Sequence, residues 1–502
     1  MNILIPLGGI GERFQRKGFS LPKPLIKVFE KPILHYLLDR LSLEPEDRLY
    51  IFYNALLDAH HFREKMLAAY PHVHLVRIPY TTRGAAESVL YGLEACPEMA
   101  ERPCVLMDGD AFYRVDILNL IRQRPTKNCV VYHRTENPNP IFSYITCDAD
   151  GRILQIAEKQ KISPNANTGV YAFESRTTLM TFCKKVLTEE HTAKGEFYTS
   201  CVIDRMLHED PNTVGCFYGL EINETDVVSL GTPEQVDAFK ASTHAFLFDL
   251  DGTLVISDDI YFHVWETLLK EYSIHLTPDL FDTHIRGKSD AHVVQTLLSL
   301  SVDVKALGDR KDALALAQVD RIRCVPGAET FLRSLYQQGW PIAIVTNCNR
   351  AMAEAILKKT GLAPYIYPLI VGGESLRSKP YPDPYRNAMM VLDLEPHQCW
   401  IFEDSKTGLL SGSSVQPRCL VGLETCYGRK DLMEGGAHLT YPDFRRTWKD
   451  LLADTQEMEA RSTTVDLVPL VRDAYRIHTD AKIHTVEIQT EKLKGGLHFG
   501  CV

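Results

Sequence analysis

Two carboxylates one residue apart, Asp249 and Asp251, close the run Phe246–Leu254 (Phe-Leu-Phe-Asp-Leu-Asp-Gly-Thr-Leu). The apolar start predicts a buried strand, and strand residues alternate sides, so positions i and i+2 point the same way. Both acids are expected at the carboxyl end of a strand, where open α/β sheets place their sites. Such a pair can bind a divalent cation and can supply a nucleophile beside a proton donor. An isolated Asp-Gly would be a plain turn, but three partners follow in order. Pro341–Thr346 is apolar and ends in Thr346 and Asn347, a hydroxyl and an amide suited to phosphate oxygens. Lys379 presents one ammonium from the turn-rich Ser-Lys-Pro-Tyr-Pro-Asp-Pro. Cys399–Phe402 is apolar and ends in Glu403 and Asp404, followed by Ser405 and Gly408. Candidate metal ligands here are Asp249, Asp251, Glu403 and Asp404.

The first half carries other chemistry. A short apolar strand is predicted over residues 2–8, followed by Gly8-Gly9-Ile10-Gly11-Glu12-Arg13-Phe14 and later by Leu21-Pro22-Lys23-Pro24-Leu25-Ile26. Glycines after a first strand let backbone N–H groups approach phosphates with no Cβ in the way. Arg13 and Lys23 add charge for a polyphosphate. The spacing is neither that of a Walker A loop nor that of the dinucleotide fingerprint.

The ordered set Asp249, Asp251, Thr346, Lys379, Glu403 and Asp404 resembles the haloacid-dehalogenase-like phosphohydrolases, over roughly residues 244–430. The resemblance implies Asp249 as the nucleophile that becomes an aspartyl phosphate and Asp251 as general acid and base. It implies Thr346 and Lys379 on the phosphoryl oxygens, and Mg²⁺ on Asp249, Asp404, Glu403 and the carbonyl of Leu250. Residues 346 and 249 are far enough apart in sequence for an inserted cap at about 258–325. Tyr261, Val264, Trp265, Leu268 and Leu269 follow helical spacing there. The segment Arg286-Gly287-Lys288-Ser289 resembles the cap loop that closes on substrate in small-metabolite phosphatases and β-phosphoglucomutase, which makes Arg286 and Lys288, with Asn347, substrate-binding candidates. Thr253, where mutases often carry an aliphatic residue, leans towards a phosphatase.

The glycine loop with Pro-Lys-Pro-Leu resembles the nucleotide-sugar pyrophosphorylase (NTP transferase) family, over residues 1–240. The implied nucleotide-binding set is Leu7, Gly8, Gly9, Gly11, Arg13, Lys23, Gly84 and Asp108, with Arg13 and Lys23 also catalytic. Thr82–Ser88 matches the small-residue helix start near the base. Val105–Tyr113 matches the strand-end metal aspartate, best aligned at Asp110. Glu158, Lys159, Asn167 and Gly169 match acceptor-binding segments, and Leu230-Gly231-Thr232-Pro233-Glu234 matches the closing motif. Many relatives place a second metal aspartate where this chain has Ser229. Either Asp226 shifts into place, or one carboxylate plus the nucleotide phosphates suffices; Asp108 is an alternative ligand. The implied reaction is attack of an acceptor phosphate oxygen on the α-phosphorus of an NTP, with Mg²⁺ and cationic clamps aligning the groups. CTP is mildly preferred among the NTPs. Within the family, Ile-Pro-Leu-Gly-Gly with Arg-Phe and Pro-Lys-Pro-Leu-Ile resembles members from surface-glycan (capsule polysaccharide) biosynthesis.

Strand-like and helix-like runs alternate through both halves, which predicts α/β architecture with two parallel-sheet, three-layer, Rossmann-like domains. The expected divisions are 1–242, a nucleotidyltransferase domain; 243–458, a phosphatase domain with the helical cap; and 459–502, a tail. The second boundary falls near the charged Gln456–Arg461. In the tail, Leu467–Ile477 reads as an amphipathic helix and Ile483–Ile488 as a strand. Glu491–Gly500 resembles the opening glycine hairpin of choline-kinase-like phosphotransferases; a hairpin packed on a neighbouring domain is the plain alternative.

A chain of 502 residues with net charge −10 and no basic cluster interleaved with aromatics argues against a nucleic-acid partner. The thirteen cysteines include no C-x-x-C pair, which fits free thiols in a reducing compartment better than a disulfide framework. No Cys/His spacing suggests zinc. The start lacks the pattern of a signal peptide, and no apolar run reaches membrane-spanning length, so the expected location is the cytoplasm, without a membrane partner. The combination predicts a bifunctional enzyme, possible as a homo-oligomer, that makes an activated sugar, polyol or small headgroup. A phosphatase that removed the acceptor's reacting phosphate would defeat the transferase, so the second domain is expected to act on another phosphate. The alternative is a phosphatase or phosphomutase regulated by an NTP-binding, catalytically weak first domain.

Overall fold

The computed structural model describes residues 1–9, 11–124, 128–209, 216–288, 290–298 and 301–464. Met1–Arg446 forms one compact unit and a second begins at Thr447. The described part of the second is the helix Trp448–Thr464, which runs through Gln456–Arg461. The segments read as a helix at 467–477, a strand at 483–488 and a glycine hairpin at 491–500 lie outside the described residues, as do Ile10 and Ser289.

Among the described residues, nine strands form the first sheet. From its centre to one edge Cys104–Met107, Asn2–Leu7, Arg48–Asn54 and Val73–Ile78 run parallel in that spatial order. Side-chain alternation feeds two cores. Leu4, Phe52 and Leu106 enter one with Val89, Leu93, Leu179 and Val202. Ile3, Ile5, Ile51 and Val105 enter the other with Leu34, Leu37, Phe62 and Ile117. A strand buried on both faces reads as a continuous apolar run, which is why Asn2–Leu7 shows no polar alternation. Beyond Cys104–Met107 the sheet turns antiparallel: Asn165–Phe173 pairs with it, with Ser143–Cys147 and with Cys129–Arg134. The connection Ala111–Tyr113 forms a ribbon with Val227–Ser229.

The second sheet is parallel, in the order Leu369–Ile370, Ile342–Val345, Ala245–Phe248, Cys399–Glu403, Cys419–Leu423, Leu439–Tyr441. One face stacks aromatics: Phe246 lies between Trp340 and Trp400, at ring-centroid distances of 5.6 and 5.3 Å. The cap is inserted through two strands, Val255–Ile256 and Arg323–Cys324, which pair antiparallel and bring its ends together. It contains the helices Asp258–Lys270, Pro278–His284, Asp290–Leu297 and Val304–Leu316. Val264, Trp265, Leu268 and Leu269 form the buried stripe of the first. No helix among the described residues is long and apolar enough to cross a membrane, and the twelve described cysteines are free.

The two sheets are joined by more than the linker between the helix Pro233–Ser242 and the strand Ala245–Phe248. One apolar cluster takes Val28, Tyr36, Phe112 and Phe239 from the first half and Leu247, Val345, Tyr385 and Ile401 from the second. At its edge lies the C-terminus of the helix Ala328–Gln337. A helix end leaves carbonyls without intrahelical partners and carries partial negative charge. Here cations of the first half satisfy them. Arg40 donates to the Tyr336 carbonyl at 2.5 Å and the Gln337 carbonyl at 3.5 Å, and Arg114 donates to Gln338 at 3.3 Å. The Arg40 guanidinium also lies 4.5 Å from the Phe112 ring centroid, and Tyr336 donates to Asp39 at 2.7 Å. Arg40→Ala strips those carbonyls of their charged donor and is expected to cost about 1.5–3 kcal/mol. Calorimetry of the variant should show two separated transitions where the parent chain, bound across this contact, shows one; an unchanged single transition would mean the junction does not couple the sheets.

Candidate functional site

The order of the second sheet brings three strand ends side by side, those of Ala245–Phe248, Ile342–Val345 and Cys399–Glu403. Lys379 reaches them from a loop held to Asn347: the Asn347 amide donates to the Lys379 carbonyl at 3.2 Å, and the Lys379 N–H donates to Asn347 Oδ1 at 3.1 Å. The Lys379 ammonium then donates to Asp249 at 2.7 Å and to Glu403 at 2.6 Å. All three side chains are buried. Burial alone would lower the Lys379 pKa, but the charges of Asp249 and Glu403 outweigh it and hold the group above its ordinary value. Tyr385 donates to the same Glu403 oxygen at 2.7 Å. Asp404 accepts from Thr253 at 3.1 Å.

One oxygen from each of Asp249, Glu403 and Asp404 lies within 4.8 Å of the others. Glu403 Oε2 has no hydrogen-bond partner among the described residues. Three convergent carboxylates, one with a spare buried oxygen, fit a hard divalent cation. Burial pushes Glu403 up to about 7 against the pull of Lys379. Burial and then the charges of Asp249 and Glu403 push Asp404 well above the usual carboxylate range. This crowding of carboxylates is the state that a cation would relieve.

Asp251 stands outside that cluster. The strand ends at Phe248, and Gly252 takes φ +80° in the turn beyond it, where an added Cβ would fall 2.2 Å from Asp404 Oδ2. Simple strand alternation therefore does not extend to Asp251. Burial first, then the charges of Asp249 and Asp258, push Asp251 up to about 7, which leaves a proton on much of it at neutral pH. Thr346 is buried and accepts from the Cys348 N–H at 3.1 Å.

The contacts between cap and core include Asn349, which donates to Asp312 at 2.5 Å, and Thr407, which donates to the Gly287 carbonyl at 3.4 Å. Arg286 is committed to Asp258 at 2.9 Å and Asp282 at 2.8 Å. Lys288 is exposed. The cap loop is thus at the site, but its arginine is tied to neighbouring acids and its lysine faces outward.

In the first sheet, the Gly8 carbonyl accepts from Asn54 at 2.9 Å, and an ideal Cβ on Gly8 would lie within 2.2 Å of Thr82 Oγ1 and Ser88 Oγ. The glycine loop is therefore laid against the start of the helix Ala85–Glu94, with Gly84 as its N-cap residue. Gly11 begins the helix Glu12–Arg16, and its ideal Cβ would lie 2.9 Å from Lys23 Cβ. Lys23 donates to Asp110 at 2.6 Å. Burial alone would raise the Asp110 pKa, but Lys23 and then Arg13 bring it down. Burial and then Asp110 push Asp108 up to about 7.

Among the residues expected to bind the acceptor, Gly169 lies against Asp108, and its backbone N–H donates to Asn167 Oδ1 at 2.8 Å. Glu158 accepts from Ser200 at 2.7 Å. Lys159 donates to the Tyr198 hydroxyl and lies 4.4 Å from that ring's centroid. Asp226 is at the far end of the ribbon from Asp110, because Val227 pairs with Tyr113 and Ser229 with Ala111. Three steps along the chain take Asp226 to Ser229, about 10 Å when extended. Asp226 does not shift into the metal position.

A haloacid dehalogenase-like hydrolase family model matches residues 246–421, and a nucleotidyl transferase family model matches residues 3–215. Hexitol phosphatase A of Escherichia coli is 32% identical over 170 residues, 33% of this chain and 77% of that protein. The chain belongs to the haloacid dehalogenase-like hydrolases. Fused ahead of that hydrolase domain is a nucleotidyl transferase domain. Validoxylamine A 7'-phosphate phosphatase of Streptomyces hygroscopicus subsp. limoneus is 30% identical over 191 residues, 38% of this chain and 89% of its own length. A phosphoglycolate phosphatase of Cupriavidus necator is 31% identical over 185 residues, 35% of this chain and 80% of its own length. A solved nucleoside-diphosphate-sugar pyrophosphorylase from Vibrio cholerae aligns with 47% of this chain and 98% of its own at 18% identity and a TM-score of 0.42.

Tyr385, Ser200 and Tyr198 were not legible as site residues. Each sits in or beside a helix whose sequence reads as ordinary packing, and only the tertiary contact gives its hydroxyl a partner. Gly408 also acts through contact in this hydrolase: an added Cβ would fall 1.8 Å from Glu403 Oε2. Gly408→Ala is expected to displace the Glu403 carboxylate and to destabilise the chain by about 1–3 kcal/mol. Urea denaturation should show a lower midpoint with an unchanged slope; an unchanged midpoint would mean Glu403 has room to move.

Proposed function

We propose that the chain is a bifunctional, Mg²⁺-dependent enzyme. Its first domain transfers a nucleotidyl group from an NTP, CTP by mild preference, to a phosphorylated sugar, polyol or small headgroup and releases pyrophosphate. Its second domain hydrolyses a phosphate monoester through an aspartyl phosphate. The observation that carries this reading is the convergence of Asp249, Lys379, Glu403 and Asp404 from three separate chain segments. The names of the phosphatase relatives, which cover a hexitol phosphate, a validoxylamine phosphate and phosphoglycolate, support a small monoester as substrate.

In the hydrolase site an Asp249 oxygen attacks phosphorus in line. The ester oxygen leaves with the electron pair of the broken P–O bond and takes its proton from Asp251, which burial keeps partly protonated. Asp251, now a carboxylate, takes a proton from the water that cleaves the aspartyl phosphate and so recovers its starting state. Lys379 and Thr346 hold the phosphoryl oxygens through the step. Asp249, Glu403 and Asp404 would hold Mg²⁺, which supplies neutralisation of the phosphoryl charge. In the transferase site Arg13 and Lys23 clamp the triphosphate, while Glu158, Lys159 and Asn167 orient the acceptor. An acceptor phosphate oxygen bonds to the α-phosphorus as the bond to pyrophosphate breaks.

Because removal of the acceptor's reacting phosphate would defeat the transferase, the hydrolase acts on a different phosphate or on a later intermediate. Activated-headgroup or surface-glycan biosynthesis in the cytoplasm is the setting that this pair of reactions suits. The single carboxylate at Asp110 favours one second reading, a transferase domain that binds NTP and only regulates the hydrolase.

Separate phosphate and pyrophosphate assays over a panel of NTPs and phosphorylated sugars, polyols and headgroups distinguish these readings. Asp249→Asn should lower phosphate release by about three orders of magnitude or more and leave pyrophosphate release intact. Arg13→Ala should do the reverse, by about tenfold to a hundredfold. Loss of both activities in Asp249→Asn would refute independent sites. NTP-dependent phosphatase rates with no pyrophosphate would establish the regulatory reading.

A further inference from the structure

Between the hydrolase acid Asp251 and the cap lies a polar network that the reaction has not yet used. Asn349, just past Thr346, caps the helix Arg350–Thr360, and its Oδ1 accepts from the Met352 N–H at 2.9 Å. That bond fixes which way the amide faces. Its N–H side is turned to the cap, where it donates to Asp312 Oδ2 at 2.5 Å. The amide carries a second N–H, and Asp312 keeps lone pairs beyond those its partners use. Lys311, beside Asp312 in the helix Val304–Leu316, gives its ammonium to both oxygens of Asp290 at 2.8 Å and to Asp312 at 3.3 Å. An ammonium has three N–H donors, so all of them are spent. Tyr261 joins this network to Asp251. Its buried phenol hydrogen-bonds Cys348, and burial, then Asp251, Cys348 and Asp312, hold it well above its ordinary value. Among the described residues of the cap, the partly buried lysine and arginine side chains are Lys311 and Arg286. Lys311 faces Asp290 and Asp312, and Arg286 faces Asp258 and Asp282. Each cation is outnumbered by the carboxylates it holds.

We propose that Asp312 and Asn349 bind hydroxyl groups of the ester's leaving group, and that the hydrolase acts on the phosphate of a neutral polyol rather than of a hydroxy acid. This rests on the monoester-hydrolysis reading and narrows it. The leaving oxygen takes its proton from Asp251, so the rest of the leaving group extends from there towards Tyr261 and Asp312. A hydroxyl both donates and accepts, and a carboxylate beside an amide N–H meets both needs at once. The bond to the carboxylate is charge-assisted and therefore among the stronger ones. A carboxylate on the leaving group would instead face Asp312 and Asp290, with Lys311 and Arg286 already committed. Like charges brought together in this way reject the wrong ligand.

The test uses the full chain with Mg²⁺ and follows phosphate release from glycerol 3-phosphate, ribitol 5-phosphate, glucitol 6-phosphate, phosphoglycolate, 3-phosphoglycerate and para-nitrophenyl phosphate. Glycerol 3-phosphate and 3-phosphoglycerate differ only in a hydroxymethyl group exchanged for a carboxylate. For at least one polyol phosphate, kcat/KM should exceed that for both phosphorylated acids by about tenfold or more. Asp312→Asn keeps the shape of the side chain and removes its charge. It should lower the ratio of kcat/KM for that polyol phosphate to kcat/KM for para-nitrophenyl phosphate by about tenfold to a hundredfold, mainly through KM. Asn349→Ser keeps an oxygen that can cap the helix but is too short to reach Asp312, and it should lower the same ratio.

An equal fall with the polyol phosphate and with para-nitrophenyl phosphate would make the Asp312–Asn349 contact a clasp between cap and core and overturn the proposal. A parent chain that hydrolyses phosphoglycolate or 3-phosphoglycerate as well as every polyol phosphate would also overturn it, and that result needs no variant to fold. Monoester hydrolysis itself would stand in both cases. No phosphate release from any ester, para-nitrophenyl phosphate included, would sink the monoester-hydrolysis reading and the proposal with it.

Discussion

A buried ammonium between two buried carboxylates sets the terms for the hydrolase half of this chain. Lys379 pairs at once with Asp249 and Glu403, and removing the ammonium would leave two buried carboxylates uncompensated in a medium that tolerates them poorly. The three come from a strand end, a loop and another strand end. Their meeting requires that Ala245–Phe248 and Cys399–Glu403 be neighbours and that the Lys379 loop lie over both. The loop is pinned by reciprocal hydrogen bonds with Asn347, which itself follows the third strand. Parallel order, crossover helices and loop anchoring thus serve one electrostatic requirement.

The transferase half meets an analogous requirement with less charge. One carboxylate and one ammonium, Asp110 and Lys23, face each other across the cleft floor. The glycine loop comes close enough to Thr82 and Ser88 that no side chain fits at Gly8. Lys23 and Arg13 hold Asp110 ionised there, while burial and the Asp110 charge push Asp108 up. The hydrolase floor is crowded with carboxylates, and this shows in the upward push on Glu403 and Asp404. Both sites thus set a lysine against buried carboxylates, with more of them in the hydrolase.

The two chemistries are also mechanically linked. The helix Ala328–Gln337 ends on Arg40 and Arg114 of the transferase domain, and an apolar cluster with Phe112, Phe239 and Leu247 continues beneath them. Charged donors at a helix C-terminus satisfy groups that would otherwise need water. A junction of this kind holds the two sheets as parts of a single compact unit rather than as beads on a linker.

The strands ending at Phe248, Val345 and Glu403 were readable because a strand buried on both faces must be apolar throughout and must stop where polar residues begin. The cap helix Asp258–Lys270 was readable from its 3.6-residue period. Asp249, Lys379, Glu403, Asp404 and Lys23 could be picked out because few residue types bind phosphate or its metal, and Asp110 from the resemblance to the pyrophosphorylases. Their pairing could not be read, because it depends on which strands lie side by side. Nor could the commitment of Arg286 to Asp258 and Asp282, or the position of Asp251 beyond the strand end, where a left-handed glycine breaks the alternation. The sequence by itself determined the elements and the chemical vocabulary, since periodicity and side-chain type are local properties. Only the tertiary structure decided which charges neutralise which, because that energy depends on distance and burial between segments far apart in the chain.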